Sequence, residues 1–471
     1  MIEEGKLKID PTVNPAVLNT GTWDPEAVKK SAPRWKGKEL FPGARQTPLQ
    51  EADGGGEGLR LFPESGGSRD GADYILAELP DGQTVFLSRG AGGEYLQGRI
   101  AGFTEDDGTD VAVYPADEAN IFRYISEINI QKGPRALGPS ARLGIGVRHS
   151  TALWPGIWRA MHKGGFAANA IQNSVRELHL LETLRAGKPP AVNHLFSVGP
   201  VQEGHTGSSF EGLWTSGVLS DLKSPYFLRY GADADHLQVK RGGEGVERTK
   251  KFIRASRYYS FYTLDVSDIL DYGALSVFPS KDSLDYFSEA VPSAAMRRDL
   301  KHYYSRRFFI GGRYCEFDEA LLGRLVGKYW RALDAVQELD IYIRELRQGG
   351  PFDLELSIDE NPPEFSTFET VTRDEELLFI LLESERRGLS ISHVAPNFGV
   401  EKCTDYRGDD GYEGPERRIA SQHRIASHFG RMLDCHSGDD LSRRTRRIFG
   451  RATGGNIHFK VSPYLQKIFA E

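Results

Sequence analysis

The chain has 471 residues, of which 39% are hydrophobic, and its formal net charge is −7. That length allows a large core and more than one domain. Its apolar runs fall short of the roughly 20 residues of a membrane span, and the first residues lack the basic and then apolar pattern of a signal peptide. Acids and bases are interleaved along most of the chain, which argues against a nucleic-acid partner because that requires a basic face. We therefore expect a cytoplasmic protein that binds neither membranes nor nucleic acids.

Two further features of the composition have ordinary explanations. The three cysteines, Cys315, Cys403 and Cys435, are odd in number and lack metal-knuckle spacing, as expected in a reducing compartment. Cys435 lies beside His436, but neighbouring side chains on a strand point to opposite faces, so we predict a packed thiol rather than a nucleophile. The basic run at 443–447 is predicted to be a solvated helix face, with an anionic substrate or a subunit partner as the alternative.

The first part of the chain divides into an arm and a small β subdomain. Residues 1–71 show little periodicity and several glycines, which predicts an irregular, partly mobile arm. From residue 72 to 138 the pattern is that of short strands joined by turns, with Pro80-Asp81-Gly82 as the clearest turn. We predict an antiparallel sheet here. Its predicted strands are 74–79, 84–87, 99–103 and 111–114.

Residues 139–471 alternate between strand-like and helix-like segments, which is typical of parallel βα units. Seven or eight such units predict an α/β fold, a TIM-like (β/α)8 barrel, interrupted by a charged and aromatic insertion at 275–315. Ser174 and Glu177 have the spacing of a capping box, so a helix is predicted to begin at Ser174. A long helix is predicted over 316–346, and a shorter one passes through 158–161. The early predicted strands are 142–147, 226–230, 237–239 and 259–265.

The last third of the chain carries the strongest functional signal. Four predicted strands, at 352–358, 391–396, 432–435 and 457–461, are separated by helix-like segments, and several have polar residues at their ends. In a closed parallel barrel the carboxyl ends of the strands face one common mouth, where the chemistry takes place. We therefore predict one active site at that mouth.

Ionisable residues near these strand ends form a mixed nitrogen and oxygen ligand set. Two histidines with two or three carboxylates suit a divalent cation such as manganese, cobalt, nickel or zinc. The chain has no Gly-rich dinucleotide fingerprint and no Walker lysine loop, so a nucleotide cofactor has no support. Each residue also has a structural explanation, and for His393 and His458 a hydrogen-bonded structural role is favoured. The four groups are 233–236, 359–360, 401–406 and 436–440.

At these residues the chain resembles the tagaturonate epimerase family, bacterial enzymes of hexuronate breakdown. The resemblance runs in order over about 140–471 and does not include the arm. The ordered set of matching segments carries it, and two of them are Ala234-Asp235-His236 and His436-Ser437-Gly438. The other matching segments are 171–178, 262–265, 353–360, 395–398, 401–402, 405–406 and Asp440.

The resemblance implies a metal-dependent epimerase that interconverts D-tagaturonate and D-fructuronate or a related ketose. By the same resemblance Asp235 accepts a proton and Glu360 donates one. One divalent cation is bound by His236, Asp405 and His436, with Glu401 as the alternative to Asp405. Residues Lys402, Asp440 and Lys460 are expected to contact the substrate, a sugar acid or ketose; a homo-oligomer is left open.

Two departures from the family pattern concern the substrate. Leu441 stands where a lysine is expected, and Asn397 stands where an arginine is expected. Both changes remove positive charge from the predicted mouth, which leaves open whether the sugar is a uronate or a neutral ketose. The candidates to compensate are Arg407, Arg443 and Lys460.

The chemistry of the two sugars favours a retro-aldol route. They differ at a hydroxyl-bearing carbon whose hydrogen is not acidified by the ketone. Removal of a hydroxyl proton, cleavage of the adjacent carbon–carbon bond, rotation of the aldehyde and re-formation of the bond invert that carbon without a redox cofactor. The alternatives are a sugar isomerase or aldolase on the same barrel, or a non-catalytic carbohydrate-binding relative.

Overall fold

The protein is described as a computed structural model, which covers most of the chain. The described residues are 2–4, 7–9, 24–37, 39–41, 59–91, 95–146, 153–174, 192–195, 199–202, 209–276, 279–361, 364–400, 404–436, 438 and 440–461.

The N-terminal region contains more regular structure than its sequence suggests. Strands β1 (Ile2–Glu4) and β2 (Leu7–Ile9) pair antiparallel, and helix α1 (Pro25–Ser31) is capped by Asp24. Strand β3 (Arg60–Arg69) belongs to a five-stranded antiparallel sheet, so irregular structure is wrong for these residues. Much of the predicted arm lies outside the described residues, and the domain boundaries remain a prediction. The other strands of this sheet are β4 (Ala72–Glu78), β5 (Thr84–Arg89), β6 (Ala101–Thr104) and β7 (Asp110–Pro115).

Alternation of apolar side chains lets this sheet bury both of its faces. Ile75 and Val85 belong to a cluster with Trp35 from the short turn of helix after α1. Leu76 and Phe86, one residue later on the same strands, belong instead to the large core that continues into the barrel. Successive residues of a strand point to opposite faces, so the sheet packs as a layer between the N-terminal helix and the barrel.

The eight parallel strands of the second part close into a barrel, which confirms the predicted α/β fold class. They are neighbours in chain order, and the last strand pairs with the first. Two short strands, β10 (Val192–Leu195) and β11 (Gly199–Gln202), form a separate hairpin between the second and third barrel strands. The barrel strands are β8 (Arg142–Ile145), β9 (Ala168–Ser174), β12 (Tyr230–Gln238), β13 (Phe261–Asp265), β16 (Asp353–Ser357), β17 (Ile391–Ala395), β18 (Met432–Cys435) and β19 (His458–Val461).

Helices surround the barrel, and several have clear sequence signals at their starts. Asp318 accepts a hydrogen bond from the Leu321 N–H and caps the 28-residue helix that the sequence predicts. None of the described helices is long and apolar enough to cross a membrane. The helices after α1 are α2 (Glu118–Arg123), α3 (Trp154–Gly164), α4 (Phe210–Leu222), α5 (Gly245–Ala255), α6 (Ser283–Ala290), α7 (Ala294–Tyr304), α8 (Glu319–Leu346), α9 (Asp374–Arg387), α10 (Glu413–His428) and α11 (Arg443–Thr453).

Two barrel strands contradict the sequence-based predictions. Ser174 ends β9 rather than opening a helix, and the rest of that predicted helix lies outside the described residues. The two short strands predicted at 226–230 and 237–239 are one strand, β12, that begins at Tyr230. Both strands carry polar residues inward, which removes the apolar run that marks an ordinary buried strand.

The predicted insertion has regular structure of its own. It contains α6, α7 and a hairpin of β14 (Phe308–Ile310) and β15 (Arg313–Cys315). Its Phe287 and Tyr304 side chains belong to the main core. Elsewhere, the basic run at 443–447 lies on α11 with its four arginines exposed, as the sequence predicts. Cys435 is fully buried, and burial raises the pKa of its thiol well above the usual value, which fits a packed thiol.

Candidate active site

The end of β12 brings two neighbouring side chains to the barrel mouth. The pairing of β12 with β13 shifts register between Ala234 and Leu237, and His236 has a positive φ of 49°. Such an irregularity re-aims side chains, and a left-handed backbone at a residue other than glycine is a strain found at functional sites. As a result Asp235 and His236 both face the interior, where they are 4% and 8% exposed.

His236 lies among carboxylates from two neighbouring strands. Its Nδ1 atom is 3.6 Å from Asp265 Oδ2 and 3.9 Å from Glu360 Oε1. One ligand atom from each of these three residues lies within 4.8 Å of the other two, so they could hold a metal ion. Within the described part of the chain, His236 Nδ1 makes no hydrogen bond although it is buried.

His436, which follows β18, is the second histidine at the mouth. Its ring meets that of His236 edge to face, with 4.7 Å between the ring centroids. Its Nε2 atom lies 2.6 Å from Glu355 Oε1, and its Nδ1 atom lies 2.9 Å from Asp359 Oδ2. Burial alone would lower the pKa of His436, but Asp359 and Glu355 raise it to about 10. Both ring nitrogens of His436 therefore face carboxylates.

Lys460 on β19 connects the mouth to the charged interior of the barrel. Its Nζ atom is 2.7 Å from Asp235, 2.8 Å from Glu355 and 3.2 Å from Asp233. It also donates a hydrogen bond of 2.9 Å to the Thr263 hydroxyl. This lysine is 4% exposed, so it neutralises carboxylates that water cannot reach.

The buried charges move the pKa values of this cluster in opposite directions. Burial, opposed by Lys460, raises the pKa of Asp233 to about 8. Burial also acts on Asp235, but His236, Lys460 and His436 outweigh it and lower the pKa of that carboxyl below its usual value. Asp235 is therefore an ionised carboxylate, as a proton acceptor must be.

A cavity of about 560 Å³ opens beside these groups. Its wall includes Asp265, Glu360 and Gln238 from the mouth, together with Lys240 and Arg241 from the loop after β12. The volume lies within the roughly 300–1,000 Å³ typical of small-molecule sites. The Tyr272 hydroxyl donates to the Glu360 carbonyl at 2.6 Å and so fixes the loop that carries this residue.

Several predicted site residues lie in other surroundings. The Asp405 carboxylate accepts hydrogen bonds from the Ser442 N–H at 3.0 Å and the Thr445 hydroxyl at 2.6 Å, at the start of α11. The metal-capable group at the described mouth contains Asp265 and Glu360 instead. Asp440 is half-buried in the turn before α11. Glu401 and Lys402 lie outside the described residues.

The two departures from the family pattern are buried. Leu441 is 2% exposed and packs in the main core. The Asn397 side chain donates to Thr367 and Thr370 and accepts from the Gly399 N–H, so it holds a loop together. Lys460, one of the three candidates to compensate for the lost charge, is instead surrounded by carboxylates.

The structure adds residues to which the sequence analysis assigned no role. Asp265 lies beside His236, and Glu355 and Asp359 lie beside His436. The sequence contains a signal for Glu355. It lies two residues after Asp353 and two before Ser357, so these three polar side chains share one face of a strand. Asp265 ends a predicted strand in the same way as the residues that were selected.

The donors at the mouth fit a divalent cation. The buried Nδ1 atom of His236 has no hydrogen-bond partner within the described residues, and Nδ1 of His436 faces Asp359. A buried nitrogen without a partner calls for an ion or a water molecule. Glu355 on Nε2 of His436 is the kind of carboxylate partner that orients a metal-binding histidine.

Comparison with known proteins identifies the family. The model of the tagaturonate epimerase family matches residues 201–467, more than half of the chain. The native crystal structure of fructuronate-tagaturonate epimerase from Cohnella laeviribosi matches with a TM-score of 0.58 and 24% identity, over 87% of this chain and 73% of that chain. The structure of the same enzyme with one glycerol matches with a TM-score of 0.57 and 23% identity, over 86% of this chain and 72% of that chain. Among curated proteins, none matches.

The family match and the barrel mouth agree. The match includes β12 and all later barrel strands, which carry every mouth residue described above. This confirms the resemblance found in the sequence, and it removes the alternative of a non-catalytic relative. The chain belongs to the tagaturonate epimerase family and is an isomerase of the carbohydrate epimerase type.

Proposed function

We propose that this protein is a metal-dependent epimerase that interconverts D-tagaturonate and D-fructuronate, or a closely related ketose pair, by a retro-aldol and aldol route. The observation that carries the proposal is the buried His236 Nδ1, which has no hydrogen-bond partner within the described residues and faces Asp265 and Glu360. The His436 ring lies beside it, with 4.7 Å between the ring centroids. Membership of the tagaturonate epimerase family supports the substrate class.

The metal would be held by His236 and His436, with Asp265 as the carboxylate nearest to His236. We assign Asp265 rather than Asp405 as the carboxylate ligand, because the Asp405 carboxylate accepts hydrogen bonds from Ser442 and Thr445 at the start of α11. A bound divalent cation supplies Lewis acidity for the oxygen charge that develops in the reaction. The nitrogen and oxygen ligands suit manganese, cobalt, nickel or zinc.

The protein groups perform the proton transfers. Asp235, kept ionised by His236 and Lys460, takes the proton from the hydroxyl on the carbon to be inverted. The adjacent carbon–carbon bond breaks, and its electron pair remains on the ketose fragment. The aldehyde turns over, the bond re-forms on its other face, and Glu360 returns a proton to the new alkoxide. Lys460 lies 2.7 Å from Asp235 and holds that carboxylate in place.

Metal removal is the experiment that tests this function. Chelation of the purified enzyme should abolish formation of D-fructuronate from D-tagaturonate, and manganese, cobalt, nickel or zinc should restore it. His436→Ala should lose bound metal at the mouth yet remain folded, whereas His428→Gln, an exposed change on α10, should keep both metal and activity. Full turnover by metal-free protein would overturn the proposal. A panel of neutral ketohexoses assayed in parallel identifies the sugar.

Isotope retention tests the route. The hydrogen on the inverted carbon travels with the aldehyde fragment in a retro-aldol reaction. Deuterium at that carbon should therefore remain in the product formed in ordinary water. Near-complete loss of the label would rule out this route and favour an isomerase-like deprotonation, and release of fragments would favour an aldolase.

A further inference from the structure

A second group of possible ligands lies deeper in the barrel than the mouth. His393 on β17, Asp434 on β18 and His458 on β19 each offer a ligand atom within 4.8 Å of the others, and all three are 0% exposed. His458 Nδ1 is 2.8 Å from Asp434 Oδ2, and the His393 and His458 rings lie edge to face at 5.7 Å. None of the three belongs to the proposed catalytic machinery.

The cluster contains polar atoms that the described protein does not satisfy. His393 Nε2 and Asp434 Oδ1 are buried and have no hydrogen-bond partner within the described residues. The other nitrogen of His393 is already oriented by the Ser392 hydroxyl at 2.8 Å. A buried polar group without a partner is unfavourable, and two such groups in one place call for a bound water or ion.

The types of ligand atom indicate the class of ion. His393 and His458 each offer a ring nitrogen, and Asp434 offers a carboxylate oxygen. Two such nitrogens and one carboxylate suit zinc or a similar transition metal better than magnesium or calcium, which prefer oxygen ligands.

We propose that His393, Asp434 and His458 form a second, structural site for a zinc-class divalent cation inside the barrel. The ion joins β17, β18 and β19, the last three strands, and so closes the barrel against β8. Its binding energy adds to the stability of the fold, because the three strands come together only in the folded chain.

Metal counting on the full-length chain tests this site. Protein saturated with zinc and then desalted should carry about two equivalents per chain. His393→Gln and His458→Gln should each carry about one and melt at a lower temperature, while His428→Gln should keep about two. His436→Ala should lose the mouth ion and retain the inner one, so the two sites are counted separately.

Cobalt provides a second measurement that needs neither inner variant to fold. His436→Ala loaded with cobalt should show the visible absorption of an ion bound by nitrogen and oxygen. Absence of bound cobalt from this variant, or unchanged metal content in folded His393→Gln, would overturn the proposal. If the wild-type protein binds the inner ion but no ion at the mouth, the proposed function is overturned and the inner site stands.

Discussion

The five-stranded sheet and the barrel differ in the side chains that their strands bury. In the sheet, both faces are covered by apolar side chains, such as Ile75 on one side and Phe86 on the other. In the barrel, Lys460, Glu355 and Asp434 occupy the interior, where bulky branched residues are more usual. Hydrophobic burial drives folding of the first region, whereas buried ion pairs at best offset their own desolvation in the second.

This difference shows how stability and chemistry are distributed in the molecule. The barrel gains its apolar burial on its outer surface, where residues such as Leu354 and Val394 meet the surrounding helices. Its interior is therefore available for titratable groups. Substitutions in the sheet should change stability alone, and substitutions in the barrel interior should change stability and activity together.

The largest effect is expected from Lys460→Met. Removing this charge leaves Asp233, Asp235 and Glu355 without their common cation, and breaking a buried pair costs about 3–5 kcal/mol. Urea denaturation should show a loss of that size in the free energy of unfolding, and epimerase activity should fall in the folded fraction. Lys163→Met, an exposed change on α3, is the matched control. A loss below about 1 kcal/mol would mean that the carboxyls are neutral without the lysine.

Phe86→Ala should destabilise the sheet to a similar extent without changing the reaction. The ring is 0% exposed and stacks on Tyr124 with 4.2 Å between centroids. Truncation of a buried phenylalanine costs about 3–5 kcal/mol, measurable in the same urea titration. Metal content and kcat of the folded enzyme should match those of the wild type, because no mouth residue is touched. Tyr314→Ala, 66% exposed in the insertion, controls for loss of a ring, and a large fall in kcat would contradict the separation of the two regions.

Glu360→Gln should have the converse effect: it should lower the activity and change the stability little. A positioned acid or base contributes roughly 100-fold or more to the rate, which is about 2.7 kcal/mol of activation free energy. Turnover should fall by that factor while metal content is retained. Glu364→Gln, in the wall of the same cavity, should be nearly neutral. Loss of metal would instead make Glu360 a ligand, a role that its 3.9 Å separation from His236 Nδ1 allows.

The smallest effect is expected from Thr263→Val, which replaces a hydroxyl by a methyl group of similar shape. The hydroxyl donates toward Asp233 and Glu355 and accepts from Lys460. Loss of such a hydrogen bond costs about 0.5–1.5 kcal/mol, detectable as a shift of the urea midpoint. Thr263→Ser retains the hydroxyl and should behave like the wild type. Equal destabilisation by serine would assign the effect to packing rather than to the polar network.

The sequence by itself was sufficient for the fold class and for part of the site. The late strands and the long helix beginning after Asp318 carry strong local signals, an apolar period and a capping residue. The polar groups near the predicted strands contain Asp235, His236, Glu360 and His436, and the family resemblance assigned their roles. Strands β9 and β12 were missed or split, since inward polar residues erase the apolar pattern on which such predictions depend.

Only the tertiary structure decided which of the selected groups meet. The register shift in β12 turns both Asp235 and His236 inward. No local sequence pattern predicts the positive φ of His236. Closure of the barrel brings Lys460 to Asp235, although 225 residues separate them in the chain. Asp405, close in sequence to other polar residues, is instead engaged by α11. Local propensity fixes elements within a few residues, whereas a site formed from several strand ends depends on how those strands pair across the whole barrel.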